Sequence, residues 1–132
     1  MNLFDTDSNI TDEQLHPKYK LIKDNLMGSG ERIILQQWID GMVDRDNKML
    51  HEFQTTFYSC FWEFYLHACF KEAGFVLNQT HNRPDFIIET PTKIYVEAVV
   101  ANIKDKGRPE SERNMSDLYG YVYSAEESIR LL

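Results

Sequence analysis

The two runs Arg83-Pro84-Asp85-Phe86-Ile87-Ile88 and Ile94-Tyr95-Val96-Glu97-Ala98-Val99-Val100 are β-like in composition. A short turn that contains Pro91 joins them, so the segment predicts a β-hairpin. Asp85 and Glu97 lie equally far from Pro91 along the chain, and in a regular hairpin centred there they face each other. Both side chains then project from one face of the sheet, with Cα atoms about 4.5 to 5.5 Å apart.

Two carboxylates that face each other in an apolar hairpin require a compensating charge. Like charges directly opposite on a sheet are unfavourable. The second strand is predicted to be buried on both faces by its apolar residues Ile94, Val96, Val99 and Val100. An unpaired acid in such a strand is costly, and we therefore expect a divalent metal ion beside Asp85 and Glu97.

The composition is that of a single globular domain. The chain has 132 residues, of which 42% are apolar and 13% aromatic. It contains no run of about 18 uncharged apolar residues, the length that spans a bilayer. Its first residues also lack the basic and apolar segments of a signal peptide. We therefore expect a cytoplasmic protein with no membrane partner.

The net charge of -7 argues against a broad phosphate-binding surface and counts against a nucleic-acid partner. The distribution of the charge weakens this argument, because acidic residues are concentrated at the two ends of the chain. Four basic residues follow the Glu97 strand closely and are the candidates for nucleic-acid binding: Lys104, Lys106, Arg108 and Arg113. Acidic residues lie among them, and a solvated loop explains the same stretch equally well.

Residues 1–30 are polar and are punctuated by Pro17 and by Gly28-Ser29-Gly30, which predicts a loosely packed N-terminal arm. Residues 31–132 are predicted to form one domain. Its first helix is expected from Glu31 to about Asp44, because apolar residues recur at near-helical spacing. These residues are Ile33, Ile34, Trp38 and Met42.

A longer helix is predicted from about Glu52 to Ala73, with Gly74 at the position of a C-terminal cap. Its buried stripe consists of Phe53, Phe57, Phe61, Phe64 and Ala68. A short strand then opens at Phe75, the hairpin follows, and a last helix is expected to start at Ser116 or Asp117.

This order of elements, with Pro84-Asp85 on one strand and Glu97 on the next, resembles the PD-(D/E)XK nuclease superfamily, whose common core is αβββαβ. The resemblance covers about residues 52–132. It implies an α/β, restriction-endonuclease-like αβββα core with a small mixed sheet flanked by helices. Many members carry a Glu near the site on the first core helix, and Glu63 occupies that place here.

The chain departs from the superfamily pattern at two points. The superfamily lysine, two residues after the strand acid, falls at Val99. Lys93, Lys104 and Lys106 are the candidates to supply the positive charge of that lysine, and the sequence favours none of them over the others. The final core strand is missing, which indicates a fragment truncated at its C-terminus or a sheet completed by a partner.

The resemblance implies an Mg²⁺- or Mn²⁺-dependent nuclease, a phosphodiester hydrolase that acts on nucleic acid, with DNA as the expected substrate. The carboxylates of Asp85 and Glu97, with the backbone carbonyl of Ala98, would bind the ion, and Glu63 would complete or orient its ligand shell. The valine at the lysine position and the acidic charge favour the alternative, a catalytically inactive nuclease-fold domain that serves as a binding or dimerisation module. The sequence leaves two alternatives for the assembly, a monomer and a homodimer.

Each acid also has a purely structural interpretation. Asp85 after Pro84 suits a turn or a strand start, and Glu97 suits the solvent-facing side of an edge strand. Glu63 and His67 have the i, i+4 spacing of a surface pair.

Metal and thiol chemistry elsewhere in the chain has little support. A zinc site that uses His67 with His51 or His81 lacks the spacing of known zinc motifs. Cys60 and Cys69 lie on opposite sides of one predicted helix and are expected to be buried free thiols.

Overall fold

The structure is a computed structural model that describes residues 1–5, 7–81 and 83–101. These residues form a mixed α/β structure with four α-helices, followed by a small three-stranded sheet. The helices are α1 (Pro17–Asp24), α2 (Ser29–Trp38), α3 (Met49–Thr55) and α4 (Tyr58–Glu72). The strands are β1 (Val76–Asn78), β2 (Phe86–Thr90) and β3 (Ile94–Val96). Within the described ranges, no helix combines the length and the apolar character that a membrane crossing requires.

The predicted hairpin is confirmed as β2 and β3. Its register pairs Phe86 with Val96, Ile87 with Tyr95, and Ile88 with Ile94, which is the pairing of a hairpin centred on Pro91. β1 pairs with the other edge of β2 and is also antiparallel, with a bulge between Val76 and Leu77. The described strands therefore form an antiparallel sheet of order β1-β2-β3, where a mixed sheet was predicted.

The two hairpin strands differ in burial. The first three residues of β2 are buried, as expected for a central strand. In β3 the side chains of Ile94 and Tyr95 are 44% and 62% exposed, and Val99 just beyond the strand is 80% exposed. The prediction that this strand is buried on both faces is wrong, because Ile94 and Tyr95 point to opposite faces of β3 and both are exposed.

The predicted helix from Glu52 to Ala73 is interrupted and forms α3 and α4. The break is at Phe57, whose φ of 58° and ψ of -65° belong to a classic γ-turn. The Tyr58 N–H accordingly donates to the Thr56 carbonyl at 2.8 Å. Neither glycine nor proline marks this break, so periodicity alone predicts one continuous helix. At the other end Gly74 is confirmed as the residue after the cap, with a φ of +74°.

The core is aromatic and includes the N-terminal segment. Phe53, Phe57 and Phe64 are buried, as their spacing predicts. Leu3 and Tyr19, which belong to the stretch predicted as a loosely packed arm, are fully buried against them. The Tyr19 ring meets the Phe53 ring edge-on at 5.6 Å. These two large side chains anchor the N-terminal segment to the core. The polar composition of residues 1–30 as a whole did not indicate their burial.

α2 is confirmed as a helix but is shorter than predicted. It ends at Trp38 instead of about Asp44, and its buried side chains are Leu35 and, just after the helix, Ile39. Ile33 and Ile34, whose spacing was used to predict the helix, are exposed. Leu35 and Ile39 are four residues apart and therefore also have helical spacing. Spacing does not distinguish them from the apolar residues used for the prediction, and α2 packs against α4 in the structure.

The predicted last helix and the basic residues Lys104, Lys106, Arg108 and Arg113 lie outside the described residues. Of the two thiols, Cys60 is buried as predicted, whereas the same prediction for Cys69 is wrong because it is exposed.

Candidate active site

A polar cleft of about 590 Å³ lies where the hairpin, α4 and the loop before α3 meet. All of its lining residues are ionisable: Arg45, Asp46, Glu52, Glu63, Arg83, Asp85 and Glu97. The three acids predicted from the sequence, Glu63, Asp85 and Glu97, therefore line one cleft. They come from three different elements, and their shared position is a property of the fold.

Asp85 and Glu97 flank the paired part of the hairpin. Asp85 immediately precedes β2 and Glu97 immediately follows β3, so the observed register places them opposite each other when it is continued by one residue. Asp85 is half-buried, and its Oδ2 accepts a hydrogen bond from the Ala98 N–H at 2.7 Å. This bond orients the Asp85 carboxylate and also holds the chain beyond Glu97 against it.

Glu63 is the electrostatically perturbed member of the cleft. Burial in α4 is the main reason that its pKa rises to about 7, and the negative charges of Asp85 and Glu52 raise it further. The nearby Arg45 lowers this pKa, with a weaker effect than either of the first two causes. The Glu63 carboxyl therefore changes protonation state near neutral pH, and its pKa depends on the charge of Asp85.

The loop between α2 and α3 carries Arg45 and Asp46 into the cleft. It is held against the sheet by the side-chain amide of Gln79, just after β1. Gln79 Oε1 accepts from the Val43 N–H at 2.8 Å, and its Nε2 donates to the Gly41 carbonyl at 2.9 Å. Arg45 Nη1 donates to the His81 carbonyl. These contacts position the loop independently of the hairpin.

Sequence reasoning missed four of the lining residues: Arg45, Asp46, Glu52 and Arg83. Arg83 had a local signal, because it begins the same run as Asp85 and ends up beside it in the cleft. The other three had none, since a loop and a neighbouring short helix bring them there through packing.

The structural interpretation of Glu63 and His67 as a surface pair is wrong. His67 is 3% exposed, and its Nδ1 lies 2.7 Å from the Trp38 carbonyl. Because a carbonyl only accepts, Nδ1 carries the proton and donates to it. His67 thus links α4 to the end of α2.

The other two histidines do not join His67. His51 Nδ1 is 3.6 Å from an oxygen of Asp7, and His81 is exposed.

No lysine lines the cleft among the residues that the structure describes. Val99 is exposed and carries no charge, and Lys93 lies 3.6 Å from Glu89 across the hairpin turn. Arg45 and Arg83 supply the positive charge of the cleft instead.

The donor chemistry of the cleft suits a hard cation held by few protein ligands. In the described part of the chain, no group of three or more His, Cys, Asp or Glu side chains is arranged to hold a metal ion. Mg²⁺ does not need such a cage, because it keeps several waters and typically uses one or two carboxylates. Asp85 and Glu97 are carboxylates of this kind. The negative charges of Asp85 and Glu52 add to burial in raising the pKa of Glu63, and a cation in the cleft would lower it.

No protein-family model, curated protein or solved structure matches this chain.

Proposed function

We propose that this chain is a metal-dependent phosphodiesterase of the nuclease type that acts on nucleic acid, with DNA as its substrate. The observation that carries the proposal is that Glu63, Asp85 and Glu97 line one cleft together with two arginines. Carboxylates that hold a cation, beside guanidinium groups that hold an anion, are what phosphodiester hydrolysis requires. The helix, three strands and Asp85–Glu97 hairpin also support a restriction-endonuclease-like core.

Asp85 and Glu97, with the Ala98 carbonyl, would hold Mg²⁺ or Mn²⁺. Such an ion, when bound, lowers the pKa of a water and neutralises charge that develops on the phosphate. The Ala98 N–H fixes one oxygen of the Asp85 carboxylate, so that this ligand is oriented before substrate arrives. The Glu63 carboxyl has a pKa of about 7 and is suited to accept a proton from the attacking water.

Nicking of supercoiled plasmid by the full chain with Mn²⁺ tests this proposal. We expect the wild type to nick, and Glu97→Ala to lose about tenfold or more in rate, because one carboxylate is lost from the proposed metal site. Glu72→Ala is a matched control, because Glu72 is an exposed residue of α4 that does not line the cleft. It should nick like the wild type.

A second candidate function is a catalytically inactive nuclease-fold domain that binds or dimerises. The observation in its favour is the exposed Val99 at the position of the superfamily lysine, with no lysine lining the cleft in the described residues. Plasmid that stays supercoiled with wild type, Glu97→Ala and Glu72→Ala alike would favour this candidate over the nuclease.

A further inference from the structure

We propose that Arg83 and Arg45 form an anion site in the cleft that binds a backbone phosphate of the nucleic acid next to Asp85 and Glu97. This inference rests on the proposed function and adds to it the residues that hold the substrate. It also names the source of positive charge that the chain lacks at Val99.

The first support is that no carboxylate of the described residues neutralises either guanidinium group. Five carboxylates line the cleft with them, yet neither arginine forms an ion pair with any carboxylate in the residues that the structure describes. Arg83 is exposed and makes no hydrogen bond within the described ranges. Arg45 uses Nη1 on the His81 carbonyl, and its other N–H groups donate to no described residue.

The second support is the position of both residues in the cleft. The bond to His81 anchors the Arg45 side chain, and the Gln79 amide anchors its loop. Arg83 precedes Asp85 by two residues, and both line the same cleft. Arg45 lines the cleft with Glu63, and its charge lowers the pKa of that carboxyl.

The third support is the mixture of charges. Five acids and two arginines make the cleft acidic, so an anion enters favourably when a cation accompanies it. In a phosphodiester with a bound divalent cation, the cation pairs with the acids and the phosphate pairs with the arginines. Guanidinium groups bind phosphate oxygens through two parallel N–H···O bonds, and they remain charged at every accessible pH.

The test is the binding of a short fluorescein-labelled DNA duplex to the full chain, measured by anisotropy over a range of salt concentrations. Ca²⁺, a hard cation with oxygen ligands, replaces Mg²⁺. Arg83→Ala should weaken binding about tenfold. It should also reduce the slope of log K against log salt by about one, because one phosphate contact is lost. Arg83→Lys should bind with intermediate affinity and keep the wild-type slope.

Lys18→Ala is the matched control, because Lys18 is an exposed cation on α1 that does not line the cleft. It should match the wild type in affinity and slope. Arg83→Ala with wild-type affinity, or with weaker binding and an unchanged slope, overturns the anion site while Glu97-dependent nicking still supports the nuclease. A wild type that neither binds duplex nor nicks plasmid overturns both proposals.

Discussion

Replacement of Glu63 by glutamine should stabilise the chain at alkaline pH and have a smaller effect at acidic pH. The pKa of Glu63 rises from an ordinary 4.5 to about 7, chiefly through burial. Well below pH 4.5 this carboxyl is protonated in the folded and unfolded chain alike. Between those two values the unfolded chain releases a proton that the folded chain keeps, so the free energy of unfolding falls as the pH rises. Above about pH 7 the folded chain holds a charged carboxylate in the cleft.

The magnitude follows from the difference between the two pKa values. At about 1.4 kcal/mol for each tenfold change in proton affinity, the upper limit of the penalty is about 3 kcal/mol. Solvent screening reduces this penalty, because Glu63 is only partly buried. Glutamine has nearly the same shape and no charge. Glu63→Gln should therefore gain about 1 to 2 kcal/mol more over the wild type at pH 8 than at pH 5.

Urea unfolding followed by far-UV circular dichroism measures this difference, with EDTA present to exclude divalent cations. Glu72→Gln, on the exposed end of the same helix, controls for the chemical change and should shift stability equally at both pH values. The reasoning is refuted if Glu63→Gln has the same effect at pH 5 and pH 8, or if it destabilises the chain more at pH 8.

Two other predictions concern metal binding and the core. Mg²⁺ or Mn²⁺ should raise the melting temperature of the wild type by several degrees and that of Asp85→Ala much less, as measured by differential scanning fluorimetry. Equal shifts in the two proteins would contradict the assignment of Asp85 as a metal ligand. The Tyr19 hydroxyl is buried with no hydrogen-bond partner in the described residues, and burial raises the Tyr19 pKa to about 12. Tyr19→Phe should therefore raise the free energy of unfolding by about 1 kcal/mol in urea titrations, and a loss of similar size would indicate a partner for that hydroxyl.

The hairpin was predictable because its information is local. Two β-like runs lie on either side of Pro91, and a hairpin centred on Pro91 has the register that places Asp85 opposite Glu97. Glu63 was found through the superfamily resemblance, which assigned a role to one residue of a helix.

The remaining parts of the cleft depend on contacts between distant segments. Arg45 and Asp46 reach the cleft because Gln79 holds their loop, and no periodic pattern encodes that contact. The break at Phe57 was missed for a related reason, since a γ-turn at a bulky aromatic residue is stabilised by the surrounding rings and leaves no glycine or proline as a signal.

The Gln79 side chain has a consequence for how the cleft meets its ligand. Its amide offers one donor and one acceptor to the Gly41–Val43 backbone, as a peptide group does across an antiparallel ladder. The loop is thereby joined to the edge of the sheet without contributing a strand to it. Its conformational entropy is lost when the chain folds. A ligand that contacts Arg45 would therefore meet a segment that is already ordered, and less of its binding energy would be spent on ordering that segment.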